Sequence, residues 1–145
     1  MKLPVTDLQR SALWCRALFD LELIAEYVEQ GEVRGVSLFD RDGGFEIALR
    51  QRDYCAGPPQ LAGLDVFALS SPTEELVSAI AERCDRLGIE HTRVLSYPNY
   101  GRGFDIPDPD GTLVRIVWRD PQSMASFLGL AMDASTSHSR IGSHG

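Results

Sequence analysis

The residue with the most chemistry to offer is an arginine inside an apolar strand. From Thr112 to Arg119 the sequence alternates, with Thr112, Val114, Ile116 and Trp118 set against Leu113, Arg115, Val117 and Arg119. A period of two in a β-rich run makes two faces of a strand. Arg115 shares its face with Leu113 and Val117, where a guanidinium keeps its charge and needs partners. It offers a planar fork of donors to a carboxylate, phosphate or carbonyl group. Just upstream, Tyr97-Pro-Asn-Tyr100 reads as a loop whose two rings could lid a cavity. Arg34 beside Gly35 and Arg102 beside Gly103 read as strand-edge residues on solvent, or alternatively as the rim of a pocket mouth. Cys15 and Cys84 fall on inward helix faces as packed thiols, while Cys55 lies in a linker and is the reachable one. His91 reads as an exposed loop residue, and His138 and His144 belong to the tail.

A hairpin presents Arg115. Asp108-Pro-Asp-Gly111 is turn chemistry, with side-chain acceptors, a preset φ and a residue free to turn left-handed. The same pattern stands earlier in the chain. Arg34-Gly35, Asp40, Asp42 and Gly43 match Arg102-Gly103, Asp108, Asp110 and Gly111 at a constant offset of 68 residues. That register implies an internal duplication.

The elements agree. Leu3–Thr6 is a short strand, and Asp7 caps a helix over Leu8–Phe19 with Leu8, Ala12, Cys15, Leu18 and Phe19 on its apolar face. Strands follow at Leu21–Val28, Val33–Phe39 and Phe45–Arg50, the last with Phe45, Ile47 and Leu49 opposite Glu46, Ala48 and Arg50. After a Gly-Pro-Pro linker the order restarts. Asp65–Ser70 is a strand, and Ser71-Pro-Thr-Glu74 a capping box with Pro at the first helical position. The helix it opens turns Leu76, Ile80, Cys84 and Leu87 inward and ends at Gly88. His91–Tyr97 is a strand ahead of the closing hairpin. The expected architecture is α+β, two tandem βαβββ units. Unit one spans 2–50, a linker 51–63, and unit two 64–118. A C-terminal helix over 120–132 carries Met124, Phe127, Leu128 and Ala131 on one face, and 133–145 is a disordered tail.

Composition narrows the function. A chain of 145 residues, 43% hydrophobic, suits one compact domain of residues 1–132. A net charge of −7 without a basic run argues against nucleic acid. No apolar run approaches the roughly 20 residues of a membrane span, and the first residues lack the apolar stretch and small-residue cleavage site of a signal peptide, so none is expected. Three widely spaced cysteines favour reduced thiols and a cytoplasmic address.

Two βαβββ units, each closing on an Asp-x-Asp-Gly hairpin, resemble the vicinal oxygen chelate superfamily of glyoxalases, bleomycin resistance proteins and extradiol dioxygenases. Leu3-Pro-Val-Thr-Asp-Leu with Phe19–Leu23 is similar to its opening, and Phe104 to Val117 to its close, so the resemblance covers about residues 2–118. It implies two curved mixed sheets around a cavity and a homodimer. It also implies a divalent metal held by four strands, and here the positions disagree. The first-strand ligand would precede Met1. The fifth-strand His aligns with Val66, the eighth-strand Glu with Arg115, and the fourth-strand acid with Ala48 or, two residues away on the same face, Glu46. A cation at such a centre needs about three or four O or N donors. At most one of those ligands survives, so no metal and no cofactor is expected. Arg115 either fills the vacated space as an ion pair with Glu46, or grips a ligand, or both. The site it implies comprises Arg115, Glu46, Val66, Tyr97, Tyr100 and Arg102. Two functions follow: a metal-free, homodimeric small-molecule-binding protein of the bleomycin-resistance type, or an enzyme of the superfamily working without the usual metal, with Glu46 as base and Arg115 as electrostatic stabiliser.

Overall fold

The computed structural model describes residues 1–57, 60–98, 100–124, 130–132 and 138–140. Each half of the chain builds one four-stranded mixed sheet with one long helix. In the first, β1 (Lys2–Val5), α1 (Leu8–Phe19), β2 (Glu22–Glu29), β3 (Glu32–Phe39) and β4 (Glu46–Gln51) give the order β1-β4-β3-β2. β1 runs parallel to β4, and the remaining pairs are antiparallel. In the second, β5 (Asp65–Ser70), α2 (Glu74–Leu87), β6 (Leu95–Tyr97), β7 (Gly101–Pro107) and β8 (Leu113–Arg119) give the same order, β5-β8-β7-β6. The duplication read from the Arg-Gly and Asp-x-Asp-Gly motifs is therefore a duplicated topology. The chain groups into two compact units, Met1–Leu64 with Pro107–Thr112, and Asp65–Ile106 with Leu113 onward.

Unit one is nucleated by local chemistry. Asp7 caps α1, its carboxylate accepting from the Arg10 N–H at 3.0 Å, and Asp20 ends the helix in the left-handed region. α1 packs Ser11, Cys15 and Leu18 onto β3 and β4, over a core of Leu3, Val5, Val36, Leu38, Ile47 and Leu49. Thr6 donates to Asp110 through both its N–H and its hydroxyl, and Gly63 donates to the Gly111 carbonyl, so the hairpin tip is tied to the start of α1. A 3-10 turn, Arg52–Tyr54, follows β4.

Unit two repeats the scheme with its own caps. Thr73, not Ser71, is the N-cap of α2, accepting from the Leu76 N–H at 3.3 Å, while the Ser71 hydroxyl bonds Thr73. The capping box read at Ser71 is thus displaced by two residues, because Thr73 also offers a hydroxyl at cap spacing and precedes Glu74 and Glu75. The inward face differs from expectation accordingly. Val77, Ala81 and Cys84 are buried, whereas Leu76 and Leu87 are exposed. Phe104, Ile106, Val114 and Ile116 complete this core. His91, expected to be exposed, is half-buried. Its ring lies edge-on to Phe104 at 5.2 Å, its Nδ1 bonds the Thr92 carbonyl at 2.7 Å, and its Nε2 lies 3.2 Å from Asp85. Strand pairing in this region starts only at Leu95.

At the C-terminus α3 covers Pro121–Met124, while Leu130–Met132 (β9) pairs antiparallel with His138–Arg140 (β10). The helix expected through 132 and the tail expected from 133 are corrected to that extent. Gly129, a weak helix former, stands just before β9 in the sequence. The apolar positions Phe127 and Leu128 lie outside the described residues. Among the described residues no helix is long and apolar enough to cross a membrane.

β7 lies so close to β8 that two positions tolerate only glycine. A Cβ at Gly101 would come within 1.9 Å of the Trp118 carbonyl oxygen, and one at Gly103 within 2.7 Å of that of Ile116. At the equivalent Gly35 the nearest atom would be 3.1 Å away. Gly101→Ala should therefore lower the unfolding free energy by roughly 3 kcal/mol or more, and Gly35→Ala by clearly less. Urea titration of the two variants checks this, and equal losses would contradict the packing described.

Burial pushes the Cys15 thiol up to about 12 and the Cys84 thiol up to about 11, from an ordinary value of 9.0. The folded state then binds these protons more tightly than the unfolded state, so stability is complete below pH 9 and falls as pH rises towards those values. Denaturation midpoints between pH 8 and 10.5 should drop in the wild type and drop less in Cys84→Ala, compared with each protein's own midpoint at pH 8.

Candidate functional site

The face of the second sheet that looks away from α2 carries the site. β8 buries Val114 and Ile116 on the helix side and turns Arg115 to the other, as the alternation required. Arg115 is bidentate to Asp105, Nε to Oδ1 at 2.8 Å and Nη2 to Oδ2 at 2.9 Å. Its Nη1 lies 3.1 Å from Asp65 Oδ2. The acids that Arg115 holds within its own unit are therefore Asp105 and Asp65. The hydrogen bond and charge of Asp105 push the guanidinium still further above its ordinary range. The Arg115 side chain is 46% exposed, that of Asp65 51% and that of Asp105 17%, so solvent screens the cluster only partly.

Sequence reasoning missed Asp105 and Asp65. The signal for Asp105 lay in the turn. Asp108 N–H donates to the Thr112 carbonyl at 2.8 Å, closing the hairpin. Counting outward by the same step along both strands sets Asp105 opposite Arg115. The backbone of Asp105 is itself clamped, its N–H to Thr92 Oγ1 and its carbonyl to the Thr92 N–H, each at 2.8 Å. Asp65 carries no comparable sequence signal, since it sits where the β5–β8 register shifts between Asp65 and Phe67.

The tyrosines belong to this face. Tyr97 pairs with Gly101 across the β6–β7 ladder, and its ring meets that of Tyr100 edge to face at 6.0 Å. Burial raises the Tyr97 phenol, while Arg115 pulls the other way. Arg119 reaches the Tyr100 hydroxyl and Ser70 Oγ, each at 3.3 Å. The side-chain-free Gly101 and Gly103 stand between the tyrosines and Asp105 along β7. Val66, at the register shift, is 42% exposed and contributes no donor.

Arg102 is half-buried on the opposite side of β7, its Nη1 3.7 Å from Glu74 at the start of α2. Glu46 opens β4 in unit one, exposed, on the sheet face with Ala48 and Arg50. Arg34, the repeat partner of Arg102, stacks on Tyr54 at 4.2 Å and bonds Gln51, an internal role.

The residues do not fit a divalent metal. Arg115 places a permanent positive charge between the two carboxylates of the face, and Val66 is apolar. Among the described residues no three His, Cys, Asp or Glu side chains gather as a metal site.

Comparison with known proteins agrees with this architecture. No curated protein matches the chain. Among solved structures, a glyoxylase/bleomycin resistance protein/dioxygenase domain from Frankia sp. EAN1pec is 21% identical with a TM-score of 0.69, over 83% of this chain and 89% of that one. The fosfomycin resistance protein FosX from Listeria monocytogenes, in complex with Mn(II) and 1S,2S-dihydroxypropylphosphonic acid, is 18% identical with a TM-score of 0.67, over 85% and 92%. Lactoylglutathione lyase from Agrobacterium tumefaciens is 20% identical with a TM-score of 0.61, over 81% and 90%. At these identities the likeness shows a shared fold. The family model of the glyoxalase/bleomycin resistance protein/dioxygenase superfamily matches residues 1–116, and the chain belongs to that superfamily.

Proposed function

We propose that the chain is a small-molecule-binding protein of the glyoxalase/bleomycin-resistance type that works without a metal. The observation that carries this is Arg115, a guanidinium held by Asp105 and Asp65 at the strand position where the resemblance expects a metal-binding acid. Its donor count describes the ligand. Of five N–H groups, Asp105 takes two and Asp65 one, leaving one on each terminal nitrogen. With two carboxylates around one guanidinium, the cluster has an excess of negative charge. It suits a neutral carbonyl or amide oxygen on Arg115 together with a cationic group beside Asp65, against the aromatic wall of Tyr97 and Tyr100. The chain's net charge of −7 draws a cation in the same direction. The same carboxylates offset the positive charge that a developing oxyanion would need, which weighs against the enzyme reading. A homodimer, no nucleic-acid partner and, for a chain whose three cysteines are free, a cytoplasmic address complete the proposal.

The test is elemental analysis and native mass spectrometry of the purified chain. Substoichiometric metal and a co-purifying organic cation are expected, whereas one tightly bound metal ion per chain would sink the reading. For the compound so identified, Arg115→Met should cost on the order of 1.5–3 kcal/mol of affinity, the range for a hydrogen bond to a charged group. Calorimetric titration showing wild-type affinity would make Arg115 purely structural.

A further inference from the structure

The clamp on Asp105 is not a product of the strand ladder. β6 and β7 pair Leu95 with Gly103, and continued in register that ladder would set Arg93 opposite Asp105. Thr92 bonds Asp105 there instead, once through its Oγ1 and once through its N–H. The segment entering β6 thus carries one residue more than the ladder allows, and a contact out of register needs an anchor of its own. His91 provides it. α2 ends at the left-handed Gly88, with the Ile89 N–H on the Cys84 carbonyl at 2.9 Å, and the chain then runs irregularly to Leu95. Within this run the His91 ring packs edge-on to Phe104, the chain neighbour of Asp105. The same ring bonds the Thr92 carbonyl through Nδ1 and faces Asp85, in the last turn of α2, through Nε2. One side chain therefore joins the end of α2 to the residue that clamps Asp105.

Both ring contacts are with oxygen acceptors, a carbonyl and a carboxylate. A neutral imidazole has one N–H and can donate to only one of them, whereas the imidazolium donates to both. The charged groups lining the groove around the ring are Asp85 from α2 and Glu90 from its own segment, both acidic. β7 presents the uncharged Phe104 to the ring and turns the Asp105 carboxylate to Arg115. We propose that His91 is a positioning residue for the Arg115 site, and that its protonation governs how firmly Thr92 holds Asp105. The inference rests on the reading of Arg115 as the group that grips the ligand, and adds the regulation of that site. With the ring doubly protonated, the segment is fastened both to Thr92 and to α2. When the ring becomes neutral one of the two bonds is lost, and Asp85, largely exposed, turns to water. Thr92 then gains freedom, and Asp105 is held less rigidly against Arg115. Histidine changes charge between about pH 5 and 8, so the clamp is firm in mild acid and loosens as pH rises.

NMR of the full chain across about pH 5 to 8, with no ligand added, tests it. In the wild type the Asp105 amide and the Arg115 Nε–H resonances should shift along the same titration curve as the His91 ring. In His91→Gln both should stay flat. Thr92→Val keeps the carbonyl that the ring bonds and removes the Oγ1 that clamps Asp105. There the ring should still titrate, and the Arg115 resonance should no longer follow it. Circular dichroism should show both variants folded. Wild-type resonances indifferent to the titration of the ring, a shift that persists in His91→Gln, or an Arg115 signal that still follows the ring in Thr92→Val overturns the inference and leaves the binding reading standing. Wild-type affinity in Arg115→Met overturns the binding reading and, with it, the functional role given to His91.

Discussion

The register of one hairpin governs the chemistry of this protein. Asp108 Oδ1 accepts from the N–H groups of Asp110 and Thr112, each at 2.9 Å, and Gly111 takes the positive φ that the turn requires. Burial raises the Asp108 carboxyl, and the N–H groups of Thr112 and Asp110 oppose that rise. With the turn closed at this length, Asp105 and Arg115 stand across from one another. One residue more or fewer would move Arg115 to the helix face, where a guanidinium would meet Val114's neighbours in the core. The bidentate pair is thus a consequence of the turn, and the Thr92 clamp on Asp105 adds a second constraint.

Where local chemistry decides, the sequence was a sufficient guide. α1 runs over Leu8–Phe19 as its Asp7 cap and apolar spacing implied, and β5 over Asp65–Ser70 as its alternation implied. Arg115's face followed from period alone. The departures arise where two local signals compete or where the partner is distant in sequence. Ser71 and Thr73 both offer capping hydroxyls, and the choice of Thr73 goes with Val77 and Ala81, in place of Leu76 and Ile80, as the buried positions of α2. Asp65 reaches Arg115 from a strand 50 positions upstream by way of a register shift that no propensity encodes. Asp105 lay between two legible signals, the turn and the Arg, and needed only the register to be counted.

Duplication supplied the frame twice, but the two copies of the hairpin differ by one residue. In unit one the closing bond runs from Asp40 N–H to the Phe45 carbonyl, a loop one residue longer than that between Asp108 and Thr112. The offset of 68 that holds up to the turn therefore becomes 67 beyond it, and the counterpart of Arg115 is Ala48. The cross-strand pair matching Asp105 and Arg115 is Ser37 with Ala48. Ser37 is buried and bonds the Tyr27 hydroxyl at 3.1 Å.

The two copies thus solve the same strand pairing with opposite chemistry. In unit one the pair is small and neutral, with Tyr27 of β2 bonding Ser37 of β3, and the charged pair on that face, Glu29 with Arg50, sits further along the strands. The Arg50 hydrogen bond holds the Glu29 carboxyl below its usual range, so this pair is self-contained. In unit two the pair at the equivalent register is charged and retains two unengaged guanidinium N–H groups. The resemblance puts donors of a divalent centre at the positions filled in this unit by Val66 and Arg115. An isopropyl group and a cation there remove donors and add repulsion together. Restoring the acid at position 115 alone would leave Val66 without a lone pair and would set a third carboxylate beside Asp105 and Asp65.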